Sequence, residues 1–333
     1  MTGAELRELA TELGIDAIGA APVAAYDDTE LHIQDRRSRG LFADMKFTMA
    51  RPEISCHPEL LLEGATTLIA GALCYYREGA EPGSGDGRLP RYTWRNEYAD
   101  LRMRLAALGE RLGGDYRVLV DESEHVDRAG AVRAGIAFYG KNTMAITRRH
   151  GSWVVLGALV TEVAVEPSPP LDLDCGECRL CIDACPTGAL DDPGTLDATK
   201  CLSYWTQAPS SIPDEYRAEL GAMVYGCDIC QEVCPWNRGV EKRRRGVSND
   251  DARGVVSLIE WLDRDGDDLI AELDRLYVPR NDARWLRRNA LVAAGNVGPA
   301  ELEPILARYV DDDDPILSDA ARWAVGRLAE RRE

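Results

Sequence analysis

Eight of the ten cysteines fall in one segment, as Cys175, Cys178, Cys181, Cys185-Pro186, Cys201, Cys227, Cys230 and Cys234-Pro235. The first run has C-x2-C-x2-C-x3-C-P spacing, in which three close thiolates grip one iron-sulfur cubane and the fourth, before proline, reaches a second. The second run holds three cysteines, and Cys201 supplies the missing ligand. Cross-ligation assigns Cys175, Cys178, Cys181 and Cys234 to one [4Fe-4S] cluster, and Cys185, Cys201, Cys227 and Cys230 to the other. Zinc ribbons are the alternative, since they also use paired C-x2-C steps, but zinc gives the two Cys-Pro steps no role. Disulfides fit less well, because the opening MTGAELREL lacks a basic and apolar leader, and a reducing, cytoplasmic setting is expected. Radical chemistry on S-adenosylmethionine would show C-x3-C-x2-C, an order absent here. The clusters read as conductors of electrons.

The elements that must position them are legible in outline. At 333 residues and 45% hydrophobic, the chain can bury a core and divide into two or three domains. No apolar stretch reaches the roughly 20 residues of a membrane helix. A net charge of -18 argues against a broadly basic nucleic-acid binder and confines any such contact to a local patch.

Residues 1–165 read as an α/β domain. Thr2 and Glu5 form a capping-box pair ahead of Leu6, Leu9, Ala10 and Leu13 at helical spacing. Strands are expected over Ile15 to Ala20, Leu68 to Tyr76, Tyr116 to Val120 and Trp153 to Val163, with a helix over 97–112 and a flexible stretch from Gly79 to Gly87. Asp121 then lies at a strand's carboxyl end, a common place for a catalytic side chain. The run Glu166-Pro167-Ser168-Pro169-Pro170 reads as a stiff linker. Residues 166–240 hold the clusters. Beyond 241, Leu286, Ala290, Ala293 and Ala294, then Leu302, Ile305 and Leu306, then Ala320, Trp323, Ala324 and Leu328 mark amphipathic helices of α-solenoid type, too few to stand alone.

The electron acceptor is not visible to spacing. There is no G-x-x-x-x-G-K-[ST] loop and no convincing G-x-G-x-x-G after a strand. None of the four histidines lies in the D-x-H-x-x-G context that supplies a lower ligand to some corrinoids. Cys74 reads as buried packing in a strand. Cys56 beside His57 lacks the partners a metal would need, and His125 reads as an exposed loop histidine.

Cys185-Pro-Thr-Gly-Ala-Leu190, Cys201-Leu-Ser-Tyr204 and Tyr225-Gly-Cys-Asp-Ile-Cys-Gln-Glu-Val-Cys-Pro-Trp-Asn237 resemble the epoxyqueuosine reductases. Val120-Asp121, Arg128, Ala134-Gly135-Ile136, Gly140-Lys141-Asn142-Thr143 and Gly151-Ser152-Trp153 agree with the upstream motifs of that family. The resemblance implies an α+β multidomain protein: an N-terminal α/β cobalamin-binding domain (1–165), a bacterial-type dicluster ferredoxin domain (166–240) and C-terminal HEAT-like helical repeats (241–333). It implies removal of the epoxide oxygen of epoxyqueuosine as water at the wobble position of tRNA, with two [4Fe-4S] clusters and cobalamin as cofactors. It makes Asp121 the proton donor and places Asp121, Arg51, Ser203, Gln207 and Asp228 at the corrinoid.

The expected partners are the tRNA anticodon stem-loop carrying epoxyqueuosine and an unidentified electron donor, with no membrane and a monomeric chain. For the RNA, Lys242-Arg243-Arg244-Arg245 and Arg284, Arg287 and Arg288 offer focused positive charge. Two features depart from the family pattern: Glu122-Ser123-Glu124 after Asp121, where small residues are usual, and the bulky Trp205 after Ser203. They leave room for a related corrinoid reductase of a small molecule, and a non-enzymatic dicluster carrier is the remaining alternative.

Overall fold

The computed structural model describes residues 1–79, 81–246 and 252–331. Its first layer is a four-stranded sheet in the order Ala17–Pro22, Thr67–Cys74, Val154–Thr161, Tyr116–Leu119. Every pairing is antiparallel, so the expected α/β domain is built on an antiparallel sheet rather than parallel crossovers. Thr67–Cys74 and Val154–Thr161 are buried along their whole length, because both faces of the sheet are covered. Leu101, Leu105 and Leu108 of helix Glu97–Leu112 and Leu6 and Ala10 of helix Gly3–Glu12 pack on one face. Tyr26, Ile33 and Phe42 pack with Leu68, Leu119, Ala158 and Val160 on the other.

Local chemistry sets the helix ends. Thr2 and Glu5 form the expected capping box, and the Asn96 side chain accepts from the Ala99 N–H at 3.1 Å to start the long helix. The segment read as a stiff linker lies along the sheet's edge: Ser168 N–H donates to the Ala20 carbonyl at 2.8 Å, and the Ser168 hydroxyl accepts from Ala20 N–H at 3.0 Å. The stretch expected to be flexible is partly strand, since Asp86–Arg88 pairs with Val255–Ser257. Ala80 and residues 247–251 of the neighbouring segments lie outside the described residues.

A second core joins the C-terminal helices to the segment that follows Cys201. Leu202, Ile212, Leu220, Val224 and Tyr225 pack with Leu258, Trp261, Leu286, Leu291, Leu317 and Ala321. Helix Arg284–Val297 lies so close to helix Pro315–Glu330 that a Cβ on Gly295 would come within 2.8 Å of Ala324 Cα. The amphipathic helices therefore do not stand alone. Among the described residues, no helix is long and apolar enough to cross a membrane.

Candidate active site

Asp121 follows strand Tyr116–Leu119 with φ at +52°, a left-handed conformation that is uncommon outside glycine though open to aspartate, and its surroundings hold it there. They do so here on two sides. Its N–H donates to Asp127 Oδ2 at 3.3 Å, and Arg102, from the long helix, donates to the carbonyl of Val120 and to Glu122. Although Asp121 reaches solvent, protein crowds its carboxyl enough that desolvation, and then the charge of Asp127, raises its pKa, against an opposing pull from Arg102.

His125 is a correction to the sequence reading. It is buried rather than exposed, with Nδ1 2.9 Å from Asp127 Oδ1 and Nε2 2.9 Å from the Tyr26 hydroxyl. With the proton on Nδ1, the ring donates to Asp127 and accepts from Tyr26. Asp127 thus holds the histidine with one oxygen and the Asp121 backbone with the other. The extra carboxylates of the loop are paired: Glu122 with Arg102 at 2.8 Å, and Glu124 with Arg117.

The charge of Asp121 is felt by the phenols of Tyr98 and Tyr225, both pushed above their ordinary range chiefly by burial. Tyr225 stands two residues before Cys227, so the acid and the cluster segment face common ground. The Tyr225 hydroxyl lies 3.1 Å from Gln207 Oε1 and 2.9 Å from the Tyr277 carbonyl, and Gln207 Nε2 donates to the Ser203 carbonyl at 3.0 Å. Ser203 and Gln207 are half-buried on the short helix Leu202–Gln207. Asp228 is buried and accepts from the Arg91 N–H at 2.7 Å; burial raises its pKa to about 6, with Arg91 opposing. Arg51 is exposed between two short helices, Phe47–Ala50 and Pro52–Ser55. The same stretch of chain carries Asp44, which accepts from the Tyr204 hydroxyl.

The eight cysteines fall into two electrostatic neighbourhoods. Cys181 and Cys234 both feel Cys175 and Cys178, whereas Cys227 feels Cys201 and Cys185, and Cys230 feels Cys227 and Cys201 ahead of Cys181. Burial pushes Cys227 up to about 12 and Cys230 well above the ordinary thiol range. Such thiols become thiolates when a metal centre compensates the charge, which suits them as cluster ligands. Among the described residues, no group of three or more His, Cys, Asp or Glu side chains stands close enough to hold a single metal ion. A cubane of four irons and four sulfides fills a wider space between its thiolates.

The loops that carry these thiols are braced from the sheet domain. Lys141 Nζ donates to the carbonyls of Gly176 and Cys178 at 2.6 and 3.1 Å, and Asn142 Nδ2 to that of Cys230 at 3.3 Å. One turn therefore touches both cluster loops. Its next residue, Thr143, has φ at +63° and its carbonyl accepts from Arg128 at 2.8 Å. A buried polar knot completes the joint: Asn237 Oδ1 accepts from Ser152 N–H at 2.8 Å, Asn237 Nδ2 donates to the Gln231 carbonyl at 2.7 Å, and Gln231 Nε2 to the Tyr75 hydroxyl at 2.9 Å. Gly151 is required beside it, since a Cβ there would lie 1.9 Å from Asn237 Oδ1.

Several charges read as phosphate contacts are otherwise engaged. Arg288 is buried and donates to the carbonyls of Trp205, Thr206 and Ala208 at 2.9, 3.2 and 2.7 Å. Arg244 donates to the Cys74 carbonyl at 3.0 Å, and Arg287 to that of Arg264 at 2.6 Å. Arg284 is exposed, ion-paired with Asp282 and Asp314. Trp205 donates its indole N–H to the Thr199 carbonyl at 2.8 Å. Cys56 and Cys74 are both buried, and His57 bridges Glu30 and Glu59 at 2.9 and 2.8 Å.

Residues 174–237 match the model of a 4Fe-4S double cluster binding domain. The chain is 32% identical to an epoxyqueuosine reductase of Lactococcus garvieae, covering 98% of this chain and 96% of that protein. It is likewise 32% identical to one of Bacillus subtilis, covering 98% and 87%. A crystal structure of epoxyqueuosine reductase with a tRNA-Tyr epoxyqueuosine-modified stem loop superposes with a TM-score of 0.86 at 31% identity, over 98% of this chain and 89% of that one. With identity at this level sustained over nearly its full length, the chain belongs to the epoxyqueuosine reductase family.

Proposed function

We propose that the chain reduces epoxyqueuosine to queuosine at the wobble position of tRNA, with electrons passing through two [4Fe-4S] clusters to cobalamin. The observation that carries this reading is the placement of Asp121. A carboxyl of raised pKa stands on a constrained turn, within electrostatic reach of Tyr225 and hence of the loop that begins at Cys227. Support comes also from the similar reductase solved with an epoxyqueuosine-modified stem loop.

Bound cobalamin would supply a strongly reducing cobalt centre, while the protein orients and tunes it. Arg51, Ser203 and Gln207 offer the cationic, hydroxyl and amide groups that corrinoid amide tails require. Asp228, turned toward Arg91, shapes the wall behind them. Asp121 holds a proton at its carboxyl and delivers it to the departing epoxide oxygen. Asp127, Arg102 and His125 keep that carboxyl in place. Tyr277, 69% exposed and joined through its carbonyl to Tyr225, presents a ring on which an unpaired base can stack. Residues 1–165 then carry the acid and Arg51, 166–240 the clusters and the corrinoid contacts Ser203 and Gln207, and 241–333 an RNA-facing flank.

Anaerobic reconstitution with iron, sulfide and cobalamin, followed by incubation with epoxyqueuosine-containing tRNA and dithionite, tests the reading. Queuosine in the nucleoside digest of the wild type, and none with Asp121→Ala that still binds cobalamin, is the expected result.

A further inference from the structure

Electrons must enter the protein somewhere, and the two cysteine groups are not equivalent in their surroundings. In one group, Cys227 stands two residues after Tyr225, whose phenol feels the charge of Asp121. In the other, Cys234 runs directly into Pro235 and Trp236. Trp236 packs with Phe138 at a centroid distance of 5.2 Å, and both belong to the apolar cluster that includes Cys234 and Cys175.

Beside that tryptophan, Arg148, Arg149, Pro235, Trp236, Gly239 and Arg243 line a cavity of about 300 Å³. Arg148, Arg149 and Arg243 are exposed. Among the described residues, none of these three guanidinium groups has a carboxylate within 4.0 Å. Arg243 instead donates to the carbonyl of Arg149, which draws the cations together. In a chain of net charge -18, most negatively charged macromolecules are repelled, and a cationic rim around an aromatic floor marks where one is admitted.

Resting on the proposed function, we infer that this surface docks a small, acidic, low-potential electron-carrier protein, which reduces the Cys175, Cys178, Cys181 and Cys234 cluster first. Electrons then pass to the second cluster and onward to the site of Asp121. Each turnover oxidises two one-electron carriers; the two electrons and two protons convert the epoxide to an alkene and water. An RNA phosphate would find the same charge attractive, but the adjoining apolar cluster holds cluster thiols, and an electron carrier gains most from that proximity.

The test compares the reconstituted wild type with the double variant Arg148→Glu, Arg149→Glu, driven either by a reduced acidic flavodoxin or by dithionite. The expected result is a loss of about tenfold or more in flavodoxin-driven kcat/KM, in the range that electrostatic steering supplies. Dithionite-driven turnover, iron content and KM for tRNA stay as in the wild type. Raising the salt concentration should slow the flavodoxin-driven wild type and speed the charge-reversed variant, whose repulsion of an acidic carrier is screened. The neutral pair Arg148→Gln, Arg149→Gln gives a smaller loss of the same kind and guards against misfolding of the reversed variant. An unchanged flavodoxin rate overturns the inference, as does a raised KM for tRNA in its place, which would assign the surface to RNA. A wild type that accepts electrons from dithionite and from no acidic carrier overturns it too. Failure of the dithionite-driven wild type to reduce epoxyqueuosine would instead count against the proposed function.

Discussion

Asp127 ties the backbone of Asp121 to the ring of His125, taking the Asp121 N–H on one carboxylate oxygen at 3.3 Å and His125 Nδ1 on the other at 2.9 Å. The acid therefore sits on a turn whose shape is set by residues that need never touch substrate. Asp127→Ala should lower kcat by about two orders of magnitude, the scale on which a misplaced catalytic group is felt, with KM for tRNA little changed. Asp127→Asn keeps an acceptor oxygen and should recover much of the loss. Equal damage from both variants would show that charge, not position, is what Asp127 contributes.

The same pair fixes a pH dependence. The acid must be protonated to act, so single-turnover rates should fall as pH rises through the raised pKa of Asp121. Since the negative charge of Asp127 helps raise that pKa, Asp127→Asn should move the falling limb to lower pH. The linked effect on stability has a definite sign. Asp121 contributes no penalty below its ordinary value of 3.8 and an increasing one as pH rises through the raised value. Asp121→Asn should therefore raise Tm at neutral pH and leave it unchanged in acid. A limb that stays fixed in Asp127→Asn would assign the titration to another group.

Iron content probes the division of the thiols. Cys201 lies among the neighbours of Cys227 and Cys230, far along the chain from both runs. Cys201→Ser should reduce bound iron from about eight to about four atoms per chain, the content of one cubane. Cys56→Ser and Cys74→Ser should leave it unchanged. Full iron retention in Cys201→Ser would require a different fourth ligand.

Tyr277 gives a separate handle on RNA. Its ring is exposed while its carbonyl is fixed by Tyr225, so Tyr277→Ala should raise KM for the stem-loop roughly tenfold or more, the loss expected for one stacked base. Tyr277→Phe should behave as the wild type. Unchanged KM in Tyr277→Ala would remove the ring from the binding surface.

Local features were the most legible in the sequence. The cysteine spacing, the Thr2 capping box and helix 97–112 each depend on residues a few positions apart, and strand positions followed from apolar runs that two covered faces require. Pairing direction was not legible, because burial on both faces gives an antiparallel strand the same continuous apolar run as a parallel one. His125 was misread since its burial depends on Tyr26, about one hundred positions upstream in the chain. Arg288 was misread for the opposite reason: its charge suggests a surface, whereas the carbonyls that receive it belong to residues 205–210. Lys141, Asn142, Ser152 and Asn237 could be noticed only as parts of motifs; their work of joining the cluster loops to the sheet is visible only when the distant segments are brought together.

The most direct measurement is the mass of the wobble nucleoside after the fully reconstituted, anaerobic wild-type protein has acted on an epoxyqueuosine-bearing anticodon stem-loop. A product lighter by one oxygen atom, absent with Asp121→Ala, is what the account predicts. An unchanged nucleoside, from protein shown to carry both clusters and cobalamin, would contradict it.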